Sequence, residues 1–99
     1  MMNKNFMTGN IATETVESYE LKNRIGETVC IHGSIYKIRK MKGFSFVLLR
    51  TKRDVVQCIA AENIELPQEE SCVVLTAGVV AEERSRVGYE LHITAIEVL

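Results

Sequence analysis

Short segments of alternating apolar and polar residues are the feature that most constrains how this chain can fold. Because successive side chains of a strand point to opposite faces, an apolar residue at every second position predicts a half-buried strand. The pattern recurs in five segments, separated by charged or glycine-containing stretches: Val29–Tyr36, Phe44–Arg50, Asp54–Ala61, Cys72–Ala81 and Tyr89–Leu99. The chain is therefore predicted to be built mainly from strands.

The order of these segments indicates how the strands are arranged. Three of them precede an irregular stretch, residues 61–71, which contains the only proline of the chain, and two follow it. Gly33 in the middle of the first strand predicts a bulge or a sharp coil. Five strands in this order predict an all-β fold, a partly open Greek-key barrel of the OB type. An SH3-like barrel or an antiparallel sandwich remains the alternative.

Length and composition allow a single domain. The chain has 99 residues, of which 46% are hydrophobic and 25% charged, as in ordinary globular domains. Residues 1–13 are polar and aperiodic, so we expect them to be disordered and residues 14–99 to form the barrel domain. Residues 14–24 are expected to form a short helix or turn, capped by Thr13 or Thr15 and ended by Gly26.

The N-terminus and the apolar runs bear on location. No apolar run approaches the roughly 18 residues that a membrane span needs. The first residues, MMNKNFMTGN, lack the long apolar stretch of a secretory signal. A cytoplasmic location without a membrane partner is the resulting expectation.

Residues that could carry chemistry are few. The three cysteines, Cys30, Cys58 and Cys72, include no C-x-x-C pair; we expect no disulfide framework and no zinc site, and all three thiols in the core. His32 and His92 are isolated, and the carboxylates occur in solvated runs. No nucleophile elbow, phosphate loop or H-E-x-x-H motif occurs. We therefore expect no enzymatic activity, no cofactor and no metal.

Charge is distributed unevenly, although the formal net charge is only -1. The stretch 37–53 holds seven basic residues and no acidic one, whereas the rest of the chain holds five basic and thirteen acidic residues. Such a basic segment attracts a polyanion. A solvated hairpin whose charges serve only solubility is the alternative.

The second and third predicted strands carry a pair of outward residues suited to RNA. If their aliphatic positions face the core, Phe46 and Gln57 share the outer face. An exposed ring stacks on an unpaired base, which contributes about 1–3 kcal/mol, and a glutamine amide can read the edge of a base. Arg39 and Lys42 would hold phosphates. The alternative is that Phe46 is covered by the N-terminal helix or by a partner chain.

A family resemblance covers about Ile25 to Leu99. The stretch Gly33–Arg50, GSIYKIRKMKGFSFVLLR, resembles the first two strands of the anticodon-binding domain of class IIb aminoacyl-tRNA synthetases of the aspartyl and asparaginyl type. That pattern is roughly G-W-V-x-x-x-R-x-x-G-x-x-x-F-x-x-L-R-D, followed by x-V-Q, which Val56-Gln57 matches. The resemblance continues in three later stretches, Ser71–Val74, Gly78–Val80 and Gly88–Ile93.

The resemblance implies that the partner is tRNA. Phe46 would stack on the central uridine of the anticodon, Gln57 and Glu90 would hydrogen-bond neighbouring bases, and Arg39 would contact the loop. Without the resemblance, Glu90 reads as an ordinary exposed strand residue. The resemblance leaves a homodimer open, since synthetases of this class are homodimers. The candidate nucleic-acid-binding residues, from charge and resemblance together, are Arg39, Phe46, Gln57, Glu90, Lys37, Lys42 and Arg50.

Two positions depart from the family pattern. Ser34 stands where the family has tryptophan and Thr51 where it has aspartate, and both positions usually shape the loops of the barrel. None of the class II catalytic motifs is present, which implies that this chain does not itself aminoacylate tRNA. Two other functions stay open: a general binder of single-stranded nucleic acid, and a protein-interaction module that has lost its RNA.

Overall fold

The structure, a computed structural model, describes residues 15–99. It begins with a 3-10 helix, Ser18–Asn23, and continues with five strands, β1 (Thr28–Lys40), β2 (Phe44–Arg50), β3 (Val55–Ala61), β4 (Cys72–Ala81) and β5 (Tyr89–Val98). The segment 1–13, expected to be disordered, lies outside the described residues. Within residues 15–99, no helix has the length and apolar character that crossing a membrane requires.

The five strands close into a barrel in the order β1-β2-β3-β5-β4, with β4 returning to β1. All neighbouring strands are antiparallel except β3 and β5, which run parallel where Cys58 lies opposite Leu91. This is the OB fold that the sequence predicts, rather than an SH3-like barrel or a sandwich. The barrel is closed, so the prediction of a partly open one is wrong in that detail.

The inward positions of the strands supply one core. Leu21 of the 3-10 helix joins the same core and is fully buried. Full burial of an aliphatic side chain contributes on the order of 1.5–3 kcal/mol. The buried strand residues occupy the predicted alternating positions and include Ile31, Ile35, Val47, Leu49, Val56, Cys58, Val73, Leu75 and Leu91.

Strand β1 is long enough to pair with β2 along one half and with β4 along the other. Gly33 allows the two pairings to meet, because a Cβ there would lie 2.5 Å from the carbonyl oxygen of Arg50 and 2.9 Å from Cγ of Leu49. The register shift predicted near Gly33 occurs instead between Ile35 and Lys37. Gly33 therefore allows β1 and β2 to approach closely, and the bulge between Ile35 and Lys37 bends β1.

Three local features differ from the sequence-based expectations. The helix begins at Ser18, later than a threonine cap would place it, because the Glu20 carboxylate accepts the Glu17 backbone N–H at 2.9 Å. The connection 62–71, whose sequence also allows one helical turn, has turns but no helix. Cys72 is exposed, whereas Cys30 and Cys58 are buried, since Cys72 points outward beside the inward Val73.

Candidate nucleic-acid interface

An outward hollow of about 410 Å³ brings together three of the candidate residues, one from each of three strands. We call it the Phe46 hollow; its lining is Phe44, Phe46, Gln57, Ile59, Glu82, Arg84, Ser85 and Glu90. Strand register explains the grouping. Phe46 lies opposite Ile59 and Leu48 opposite Gln57. Because Cys58 lies opposite Leu91 in the parallel β3–β5 pair, the residues that precede them, Gln57 and Glu90, are neighbours on the outer face.

Phe46 forms the aromatic side of the hollow and is half-buried. Its ring meets that of Phe44 in an edge-to-face contact, with centroids 5.2 Å apart and an interplanar angle of 84°. Such contacts restrict ring orientation. The 3-10 helix lies beside the β2–β3 turn, where Oγ of Ser18 is 3.5 Å from Oγ1 of Thr51, so it does not cover Phe46. A stacking surface therefore faces outward.

Gln57 and Glu90 form the polar side of the hollow. Gln57 is exposed, so its amide is open to a ligand. Glu90 is only 7% exposed, and Nε2 of His92 lies 3.0 Å from its Oε1, where a ring N–H donates to the carboxylate. Burial of a carboxylate is costly unless a donor compensates. The sequence reading of Glu90 as an exposed strand residue is therefore wrong.

His92 is a residue that the sequence pattern left out, because a lone strand histidine reads as a surface residue. Its spacing from Glu90 could have identified it, since residues two apart on a strand share a face.

The Cys58 thiol lies behind the hollow. Burial is the main cause that raises its pKa to about 12, and the nearby charge of Glu90 is the second. That thiol is therefore neutral and unreactive at neutral pH.

The turn between β4 and β5 adds a cation at the mouth of the hollow. The side chain of Arg84 is 92% exposed, and its Nε donates to the Glu82 carboxylate at 3.2 Å. The backbone N–H of Arg84, which donates to the same carboxylate, is the main cause that lowers the pKa of Glu82. From the sequence alone, residues 82–88 are a charged turn without further features. Arg84 was therefore not among the candidate nucleic-acid-binding residues.

The basic residues of 37–53 do not form one cluster. Arg39 lies opposite Phe46 and Lys37 opposite Leu48, so these two exposed cations run along the aromatic side. Lys42 is at the β1–β2 hairpin end, where it lines a separate hollow with Phe44 and the carboxylates of the 62–71 connection. Arg50 lies four residues from Phe46 on β2, on the order of 13 Å at roughly 3.3 Å per residue.

Comparison with known proteins decides the family. No family model matches the chain. The asparagine–tRNA ligase of Thermoplasma acidophilum is 30% identical over 94 residues, 85% of this chain and 22% of the ligase. The aspartate–tRNA(Asp/Asn) ligase of Deinococcus radiodurans is 30% identical over 80 residues, 81% of this chain and 18% of the ligase. Asparaginyl-tRNA synthetase from Pyrococcus horikoshii superposes with a TM-score of 0.75 at 26% identity, over 87% of this chain and 23% of the synthetase.

This chain is homologous to the N-terminal domain of asparaginyl- and aspartyl-tRNA synthetases. The homology confirms the resemblance that the sequence motifs indicate. The chain spans only about a fifth of the length of these relatives. Within residues 15–99, no group of three or more side chains could hold a metal ion.

The two departures from the synthetase pattern have distinct structural consequences. Thr51 closes the β2–β3 turn itself: its hydroxyl donates to Oδ1 of Asp54 at 2.8 Å and accepts the backbone N–H groups of Arg53 and Asp54, each at 3.2 Å. Ser34 lines an open hollow of about 580 Å³ beside Arg50. The turn is therefore ordered without the family's aspartate, while the small serine leaves space that a tryptophan side chain would occupy.

Proposed function

We propose that this OB domain binds the anticodon loop of tRNA. The observation that carries the proposal is the Phe46 hollow, where a ring, an amide and a carboxylate from three strands share one outward surface. Homology to the N-terminal domain of asparaginyl- and aspartyl-tRNA synthetases supports tRNA as the ligand. Aminoacylation is not proposed for this chain, and a homodimer and a cytoplasmic location remain expectations.

Binding would proceed by splaying loop bases out of their stack. The ring of Phe46 supplies the platform, worth about 1–3 kcal/mol per stacked base. Gln57 offers both a donor and an acceptor to the neighbouring base. Glu90 only accepts, so it favours a base edge that presents an N–H and disfavours a phosphate. The acidic residue thereby selects bases over backbone within the hollow.

Uncompensated positive charge would supply the attraction to RNA. Across residues 15–99 the arginines in salt bridges are Arg24 and Arg84, and none of the seven basic residues of 37–53 forms one. Lys37 and Arg39 run beside Phe46 and can contact phosphates. Binding should therefore weaken with salt, since each neutralised phosphate releases counterions.

The proposal is tested with an anticodon stem-loop that carries a central uridine. Phe46→Ala should raise Kd, with a loss of about 1–3 kcal/mol in binding free energy, measured by fluorescence anisotropy, because it removes the stacking surface. Phe46→Tyr keeps the ring and should bind like the wild type. Val98→Ala, at the exposed far end of β5 and eight residues along the strand from Glu90, is the control for a change away from the hollow.

Several outcomes would count against anticodon binding. Equal affinity of Phe46→Ala and the wild type, with unchanged circular dichroism, would remove the stacking mechanism. Equal affinity for unrelated single strands would favour a general single-strand binder. A Kd that does not respond to salt, or no RNA binding at all, would favour a protein-interaction module.

A further inference from the structure

Three basic residues lie at the end of the barrel away from the β1–β2 hairpin. Arg50 ends β2, and Lys52 and Arg53 lie in the turn to β3. Two of their guanidinium groups stack on exposed tyrosines: Cζ of Arg50 lies 4.3 Å from the Tyr36 ring centroid and Cζ of Arg53 lies 5.2 Å from that of Tyr19. We call these five residues the turn-end patch.

Stacking orders these arginines without neutralising them. A guanidinium over a ring keeps its N–H edge free for an oxygen ligand. The nearest contrast is Arg24, whose charge is paired with Glu20 at 3.3 Å and Glu27 at 3.1 Å. In the part of the chain that the structure describes, no carboxylate forms a salt bridge with Arg50, Lys52 or Arg53. The turn-end patch therefore keeps its full positive charge.

The backbone under the patch is fixed. The hydroxyl of Thr51 makes four hydrogen-bond contacts within the turn, and the backbone N–H of Thr51 donates to the Asp54 carbonyl at 2.8 Å. The Asp54 carboxylate, the only acid of the turn, is engaged by that hydroxyl. Lys52 and Arg53 thus project from a closed turn, and less conformational entropy is lost when they bind.

The turn-end patch is continuous with the Phe46 hollow. The outward positions of the β1–β2 pair run from Arg39 beside Phe46, through Lys37, to Arg50, and none is acidic. The open hollow of about 580 Å³ next to Ser34 is lined by Arg50, Lys52 and His32, with Glu17 as its one acid. One polyanion could therefore contact both regions along outward side chains that carry no negative charge; the Glu69 carboxylate lies beside this run, where it accepts the backbone N–H of Ile38 at 2.9 Å.

We propose that the turn-end patch binds the phosphodiester backbone of the base-paired stem that adjoins the loop held at the Phe46 hollow. This inference rests on the proposed function. The tyrosine faces are already covered by guanidinium groups, and the free groups of the patch are N–H donors, which suit phosphate oxygens better than bases. Continuity with the Phe46 hollow favours RNA over an acidic protein.

The test compares two RNAs, the complete anticodon stem-loop and the loop strand without its stem. The double variant Lys52→Gln/Arg53→Gln should weaken stem-loop binding on the order of tenfold and lower the slope of log K against log salt by about 1 for each cation removed. Its binding to the loop strand should stay unchanged. Changing the loop sequence should not alter the size of the effect, because backbone contacts carry no sequence information.

Two variants serve as controls. Arg24→Gln also removes one positive charge, but that charge is already paired with two glutamates, so stem-loop binding should change little. Phe46→Ala should weaken the binding of both RNAs. It therefore reports on the proposed function independently of the turn-end patch.

The outcomes separate the two proposals. If Phe46→Ala weakens binding and the double variant does not, the stem contact is wrong and loop binding stands. An equal loss for stem-loop and loop strand in the double variant would also overturn the stem contact, since it would indicate a general field effect. If the wild type binds neither RNA, the proposed function itself fails. Displacement of the stem-loop by polyglutamate but not by an RNA duplex would assign the patch to an acidic protein instead.

Discussion

Two walls of the same barrel have different outer surfaces. The outward side of β2 and β3 carries aromatic and amide groups, Phe46 and Gln57 among them, beside uncompensated cations. The outward side of β4 carries only small or aliphatic uncharged residues: Cys72, Val74, Thr76, Gly78 and Val80. Both walls cover one core, so the difference lies entirely in positions that do not hold the barrel together.

The inward sides of the two walls are alike. Val47 and Leu49 of β2 and Val73 and Leu75 of β4 are all fully buried in one aliphatic cluster. Inward positions therefore set the fold, and outward positions set what the fold can bind. This comparison predicts that substitutions outside one wall change binding without changing stability, whereas a change where the walls meet destabilises both.

The largest effect is expected at Gly33, where β1 passes from one wall to the other. Gly33→Ala should lower the free energy of unfolding by about 2–3 kcal/mol, because its Cβ would lie 2.5 Å from a backbone oxygen of Arg50. Urea unfolding measures the change. The matched control is Gly78→Ala on β4, where a Cβ meets nothing within 4 Å; it should gain up to about 1 kcal/mol. Similar unfolding midpoints for both variants would mean that β1 and β2 leave room for a Cβ at position 33.

Gly33 also shows where prediction from sequence stops. The alternation of apolar residues indicates which side of a strand is buried, so the bounds of β2 and β4 and the inward residues of β2 and β3 were predicted correctly. The contact between Gly33 and Arg50 joins residues 17 apart and depends on how β1 coils. No local pattern encodes such a distance.

The candidate interface was predicted unevenly for the same reason. Alternation alone placed Phe46 and Gln57 on one outer face, since both strands are adjacent in sequence. Glu90 came only from the family resemblance, because its place beside Gln57 depends on the parallel register of β3 and β5. The basic residues are divided between the two ends of the barrel because β2 separates Lys42 at its start from Arg50 at its end. A count of charges along the sequence does not show this separation.

The second effect concerns Glu90, which faces outward from β5. Glu90→Ala should weaken binding of the anticodon stem-loop by about 2 kcal/mol, measured by anisotropy, because an acceptor for a base N–H is lost. Val80→Ala is the control, since Val80 lies opposite Glu90 on β4. A gain in affinity for Glu90→Ala would show that the carboxylate only repels phosphates. Glu90 would then have no part in reading a base.

The third effect compares the inside of one wall with the outside of the other. The folded-state pKa of Cys58 is raised to about 12, whereas a thiol in the unfolded chain ionises near pH 9. The unfolded state therefore loses its proton first as pH rises. The stability associated with Cys58 is fully present below pH 9 and falls between pH 9 and 12, on the order of 1 kcal/mol at pH 10.

Measurement of urea unfolding from pH 8 to pH 10 tests this dependence. Cys58→Ala should lose less stability over that interval than the wild type, while the raised pKa of Tyr89, caused mainly by burial, acts in both proteins. At neutral pH, iodoacetamide should modify the exposed Cys72 and leave Cys58 unmodified. Parallel pH profiles of the two proteins would contradict the assignment to Cys58.

The smallest effect separates two exposed histidines, His92 on β5 beside the Phe46 hollow and His32 on β1. His92→Ala should weaken RNA binding by about 0.5–1.5 kcal/mol, because Oε1 of Glu90 loses its donor at 3.0 Å. For the loop strand without its stem, His32→Ala on β1 should have little effect, since His32 lies in the hollow beside Arg50 and is not part of the Phe46 hollow. If His92 acts by orienting Glu90, His92→Ala should change nothing further once Glu90 is alanine. Additive losses in the double variant would instead mean that the imidazole contacts RNA itself, which would extend the Phe46 hollow by one more residue along β5.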